Sequence, residues 1–158
     1  IAHAFNKEIN DDLNKRLTRT EFMPFAPSVL KDKADKYYHN VSNSEYPGEF
    51  MTTTLDVKDE GKIVEAVTHV DNTARPHFVD KENNKEYYDI LSEFEKISGY
   101  PIIINTSFNK HEEPIVRSAM DGLERLKDGS VQFLSVGNFI VSKNEKETSY
   151  QQPIPQLK

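Results

Sequence analysis

Pro101-Ile102-Ile103-Ile104-Asn105-Thr106-Ser107-Phe108-Asn109 decides how this chain is read. The β-branched run Ile102 to Ile104 is apolar on both faces, as a strand covered on both sides requires. Asn105, Thr106, Ser107 and Asn109 then bring hydrogen-bonding side chains directly after it. Upstream, Tyr87, Leu91, Phe94 and Ile97 form a helical stripe, with Gly99 placed for a left-handed cap. Downstream, Ser118 is positioned to cap a helix whose inner face is Met120, Leu123 and Leu126, and Gly129 follows its end. A further strand is predicted over 131–136. Strand, loop, helix and strand in that order make a βαβ unit, whose ligands sit beyond the carboxyl ends of the strands. Residues 106–117 are therefore where function is expected.

Toward the N-terminus, Phe5, Ile9, Leu13 and Leu17 recur every four residues and predict an amphipathic helix. Pro24 and Pro27 leave 21–30 as an extended apolar segment. A short helix is expected over 32–39 and a loop over 40–48. Met51, Thr53, Leu55 and Val57 alternate with polar residues, predicting a strand. With 64–70 as the next strand and 59–62 as the turn, this pair reads as a hairpin. The loop 71–76 follows, and Pro76 biases Arg75 toward extended backbone. The polar tail from Lys143 is expected to be poorly ordered.

Length and composition set outer limits. A chain of 158 residues, 36% hydrophobic and 29% charged, suits one globular domain with an economical core. The net charge of -6 argues against binding nucleic-acid backbones, whose affinity comes from Lys and Arg neutralising phosphates. Without cysteine there is no disulfide, thiolate metal site or cysteine nucleophile. No run approaches the roughly 20 apolar residues of a membrane span, and no signal-peptide core is present, so no membrane partner and a cytoplasmic setting are expected. Because the chain starts at Ile1 and enters directly into a helical pattern, it is expected to be a piece of something longer.

The 105–109 cluster reads either as a cradle for phosphate or carbonyl oxygens or as a polar turn satisfying its own backbone. Arg75 offers a guanidinium fork on a stiffened backbone, or else an ordinary surface salt bridge. Lys15, Arg16 and Arg19 could meet a polyphosphate at a helix end, although such flanks are commonly just solvated. Glu112 and Glu113 could help place a magnesium-nucleotide complex, or simply line a solvated loop. The five histidines, His3, His39, His69, His77 and His111, lack metal-site spacing, so no metal is expected on this chain alone. His69 reads as a half-buried structural histidine. The standard glycine-rich phosphate loops are absent.

Three segments together resemble one family. They are Leu13-Asn14-Lys15-Arg16 with Glu21-Phe22-Met23-Pro24-Phe25-Ala26-Pro27-Ser28; Thr68-His69-Val70-Asp71-Asn72-Thr73-Ala74-Arg75-Pro76; and Asn105-Thr106-Ser107-Phe108-Asn109 with Glu113-Pro114-Ile115-Val116. Over about Ile1 to Val141 the chain looks like the C-terminal domain of NodU-type O-carbamoyltransferases. The resemblance implies an α/β (mixed α+β) fold of YrdC-like type, a twisted mixed sheet flanked by helices over 1–142, with 143–158 as tail. It also implies that carbamoyladenylate is made from carbamoyl phosphate and ATP, the ATP entering as its Mg2+ complex. A separate N-terminal domain of ASKHA type in the same full-length protein would then transfer the carbamoyl group to a hydroxyl acceptor.

By that resemblance Arg75, Ser107 and Asn109 contact the carbamoyl and phosphate portions, with Lys15, Arg16, Arg19, Thr73, Asn105 and Thr106 around the substrates. Thr18 and Met23 stand where many relatives carry a lysine and a further arginine, and Asn72 where glycine is usual. Two other functions are weighed against this one: a non-catalytic nucleotide-binding or docking module, and an RNA-binding YrdC-like domain, which the net charge disfavours.

Overall fold

The computed structural model describes residues 1–19 and 24–143. The chain forms two compact units. Among the described residues, the first holds 1–10 and 24–106, and the second holds 11–19 and 107–143. The class is α/β with a mixed sheet, as expected.

The first unit is built on a four-stranded sheet in the order β1-β6-β2-β5, where β1 is Ala2–His3, β2 Ala26–Leu30, β5 His77–Val79 and β6 Ile102–Asn105. Strand β6 runs antiparallel to both β1 and β2, while β2 and β5 are parallel. Every residue of β2 is buried, and so are Ile102, Ile103 and Ile104, which is why neither run alternates in polarity. Leu30, Val79 and Ile103 pack with Leu91 of helix α3 (Lys85–Ser98), and Tyr87, Tyr88 and Phe94 close around them. Helix α3 is capped by the Asn84 side chain and ends at Gly99, whose φ of 82° is the left-handed conformation expected there. Ile97, placed on the inner stripe from sequence, is instead exposed.

The expected hairpin over 51–70 does not form. Met51 has φ 55°, which takes it out of any strand; Leu55–Asp56 (β3) is the strand that forms, and Val57 makes an isolated bridge to Tyr38. The partner of β3 is Thr73–Ala74 (β4), in the stretch expected to be loop. Residues 65–67 form a 3-10 turn whose Ala66 and Val67 are buried, so the apolar pattern there marks a tucked turn and not a strand. Lys31–Lys36 is likewise 3-10 helix. The expected loop 40–48 contains a 3-10 turn, Val41–Asn43, and a one-turn helix α2, Glu45–Gly48. Pro47 fits there because the first turn of a helix needs no N–H from it.

Helix α1 (Lys7–Arg16) belongs to the first unit up to Asn10 and to the second from Asp11. In the second unit, α4 (Ala119–Lys127) is capped by Ser118, as the sequence suggested, here in a reciprocal capping box with Asp121, and Gly129 follows with φ 88°. Its buried face is Gly122 and Leu126, whereas Met120 and Leu123 are open to solvent. The absent side chain of Gly122 lets Leu134 approach, since a Cβ there would lie 3.3 Å from Leu134 Cδ1. The predicted βαβ unit is not realised. Among the described residues β7 (Phe133–Val136) pairs only with β8 (Phe139–Ser142), as an antiparallel hairpin turning at Gly137. The segment 21–23 and the tail beyond Lys143 lie outside the described residues, as do the expectations placed on them.

Candidate functional site

Strand direction determines where the first unit gathers its polar residues. Ala26 pairs with Asn105 and Ser28 pairs with His77, so β2 and β5 start at the end of the sheet where β6 finishes. Asn105 and the segment leading into β5, with Arg75, therefore share that end. The doubly wound rule placed ligands at the carboxyl ends of parallel strands; here only β6 ends at that edge.

Arg75 is exposed and has no carboxylate within ion-pair distance among the described residues. Its neighbours Ala74 and Pro76 are buried, so the backbone is anchored while the guanidinium remains available. Asn105 is half-buried, and its Nδ2 lies 3.7 Å from Met51 Sδ, a weak contact. Thr106 is half-buried and its hydroxyl makes no hydrogen bond among the described residues. Thr73 is committed elsewhere: its hydroxyl donates to Asp71 Oδ1 at 2.7 Å and also meets His69 Nδ1 at 2.9 Å. Asn72, between them, has φ 62°, the left-handed conformation that lets asparagine stand in for glycine.

The remaining candidates lie in the second unit. Helix α1 ends in a left-handed Thr18, φ 53°, with Arg19 N–H donating back to Asn14 O at 2.9 Å. Lys15 is exposed, whereas Arg16 is paired with Asp12 at 2.6 Å. Burial lowers the pKa of Arg19. The loop 107–117 is tied to this helix end, because His111 N–H donates to Leu17 O at 3.0 Å. Lys15, Arg16 and Arg19 thus adjoin the loop that carries Ser107 and Asn109.

Ser107 is exposed and its hydroxyl has no hydrogen-bond partner among the described residues. Asn109 braces the loop: its Nδ2 donates to Lys110 O at 2.8 Å and to Glu113 O at 2.9 Å. Its Oδ1 is buried and lacks a donor among the described residues. Glu113 accepts from Arg125 at 2.7 Å, and Lys110 meets Asp128 at 2.9 Å. Burial opposes the charge on Asp128, yet hydrogen bonds from Ser130 and Lys110 outweigh it and hold the carboxyl at about 2. Among the described residues no group of three or more His, Asp or Glu side chains converges as a metal site. No helix there is long and apolar enough to cross a membrane.

Residues 1–143 match the family described as Carbamoyltransferase C-terminus, and the chain belongs to that family. It is 36% identical to nodulation protein NolNO of Sinorhizobium fredii, over 89% of this chain and 20% of the relative. To nodulation protein NolO of Bradyrhizobium diazoefficiens it is 35% identical, over 90% and 26%. An uncharacterized protein of Methanocaldococcus jannaschii is 40% identical, over 87% and 26%. The chain spans about a fifth to a quarter of the length of these relatives, as one domain of a larger protein would.

Proposed function

We propose that this domain activates a carbamoyl group as carbamoyladenylate, using carbamoyl phosphate and MgATP, in a cytoplasmic enzyme whose N-terminal domain passes the group to a hydroxyl acceptor. Loss of phosphate from carbamoyl phosphate, with water as acceptor, leaves carbamate. A carbamate oxygen then attacks the α-phosphorus of ATP, and pyrophosphate departs. Carbamate is a weak nucleophile, so the protein's task is to position reactants and neutralise phosphate charge.

The observation that carries this is Arg75: an exposed residue on an anchored backbone, without a carboxylate partner among the described residues, in a family of carbamoyltransferases. A planar fork suits a carboxylate-like or phosphate group bidentately. The open Ser107 hydroxyl offers a hydrogen bond to phosphate, and Asn109 holds its loop in shape. Lys15 and Arg19 supply positive charge for the polyphosphate.

Calorimetric titration of the chain with carbamoyl phosphate and MgATP tests the proposal. Arg75→Ala should weaken carbamoyl phosphate binding at least 10-fold, in keeping with the roughly 1.5–3 kcal/mol of a charged hydrogen bond, and Ser107→Ala less. Equal, negligible binding by all three proteins would sink it. The ion pair of Arg16 with Asp12 favours a second possibility, a docking module that binds nucleotide without chemistry. Pyrophosphate release dependent on carbamoyl phosphate excludes that module.

A further inference from the structure

Thr73 has one hydroxyl proton, and its surroundings dictate where that proton goes. Thr73 Oγ1 lies 2.7 Å from Asp71 Oδ1, a contact between an oxygen and a carboxylate that requires a proton between them. The same carboxylate oxygen accepts the Thr73 backbone N–H at 3.1 Å, and hydrogen bonding from Thr73 holds the Asp71 carboxyl below its ordinary range. His69 Nδ1 lies 2.9 Å from the same hydroxyl oxygen. With its proton given to Asp71, that oxygen can only accept, so Nδ1 must carry the hydrogen. In a neutral imidazole so oriented, Nε2 is a bare acceptor.

The backbone keeps this arrangement in place. His69 N–H donates to Thr73 O at 2.8 Å, and Asn72 N–H donates to His69 O at 3.0 Å. His69 Nε2 makes no hydrogen bond to any described residue and is not among the buried atoms lacking partners. Along the segment leading into β5, Ala74, Pro76 and Phe78 are buried, whereas Thr73, Arg75 and His77 alternate with them on the more open side. Thr73, with His69 bonded to it, therefore lies on the side of the chain that presents Arg75. Burial lowers the His69 pKa; the Asp71 charge opposes this, and the nearby Arg75 charge reinforces it.

We propose that His69 Nε2 selects the carbamoyl group, accepting a hydrogen bond from its NH2 while the Arg75 guanidinium holds the anionic oxygens. This rests on Arg75 binding carbamoyl phosphate as proposed above. Carbamoyl and acetyl phosphates have nearly the same shape but differ in that NH2 against a methyl. A methyl leaves the acceptor unpaired, which is the kind of mismatch that gives hydrogen-bonding sites their selectivity.

Two measurements on the 158-residue chain test it. Long-range 15N correlation of the imidazoles reads the tautomer directly, without ligand. His69 should be protonated at Nδ1, remain so in Thr73→Ser, and shift toward Nε2 protonation in Thr73→Val. Calorimetry then compares the two phosphates. The unaltered chain and Thr73→Ser should prefer carbamoyl phosphate about 10- to 100-fold. His69→Phe and Thr73→Val should bind the two alike, and His69→Gln, which keeps a carbonyl acceptor, should recover part of the preference.

An Nε2-protonated His69 in the unaltered chain overturns the inference whatever the ligands do. The expected tautomer with equal binding of both phosphates overturns the selection alone and leaves Arg75 standing. The expected tautomer with no binding of carbamoyl phosphate overturns the Arg75 assignment, and the selection with it.

Discussion

Strands β6 and β7 look alike in sequence, each a short apolar run near a capped helix, yet they end in opposite circumstances. β6 lies between β1 and β2, with Ile102, Ile103 and Ile104 at 2% exposure or less. β7 has the single partner β8 among the described residues, and Phe139 and Ile140 of that partner are more than 70% exposed. The first unit fixes Arg75 and Asn105 through buried neighbours. The second unit fixes Ser107 through the hydrogen bonds and ion pairs of its own loop. Apolar packing resists local change strongly and is insensitive to charge, while a loop braced by carboxylates is open to pH and to single substitutions.

That contrast can be broken by comparing matched truncations. Ile103→Ala should cost about 3–4 kcal/mol in urea unfolding, whereas Leu134→Ala should cost about 2 kcal/mol, because a two-stranded hairpin can collapse into the space left. Equal losses would show that the two units are packed to the same standard. Asn109→Ala should come next, at about 1–2 kcal/mol for two hydrogen bonds to carbonyls, and should raise amide exchange in 107–117 with β6 unchanged.

Asp128 tests the same difference by titration. Its folded carboxyl sits near 2, below its ordinary value, so its contribution to stability is present above about pH 4 and lost as the pH falls toward 2. Exchange in the 107–117 loop should rise across that window, an effect that Asp128→Asn removes. Smallest, Thr18→Gly should stabilise the end of α1 by about 1 kcal/mol, since a β-branched residue is strained at φ 53°.

Features that depend on neighbours in sequence were legible in it. The caps at Gly99 and Ser118 follow from local backbone chemistry, and β6 follows from a run too apolar for a one-sided strand. Strand pairing was not legible, because it is settled by partners distant in sequence. The alternation over 51–57 is real, but the left-handed Met51 and the pairing of β3 with β4 leave only Leu55–Asp56 as strand. The apolar residues Val64, Ala66 and Val67 could fill a core as a turn as well as a strand. In the candidate site, Arg75 and Asn105 were visible as residue types. The link from Asp71 through Thr73 to His69 was not, because sequence does not say which nitrogen a hydroxyl will face.

The opposite end of the sheet carries a different load. There β2 and β5 finish, and Lys31, directly after β2, holds Asp80, directly after β5, at 2.8 Å and Glu49 at 2.7 Å. The hydrogen bonds that the Lys31 ammonium donates to Asp80 and then to Glu49 raise its pKa, so the clamp stays charged throughout the ordinary pH range. Opposed strand polarity thus separates the clamp from the candidate site by the length of a strand. A fluorophore or affinity handle grafted near Lys81 would sit by the clamp, leaving Arg75 and Asn105 open for the binding measurements proposed above.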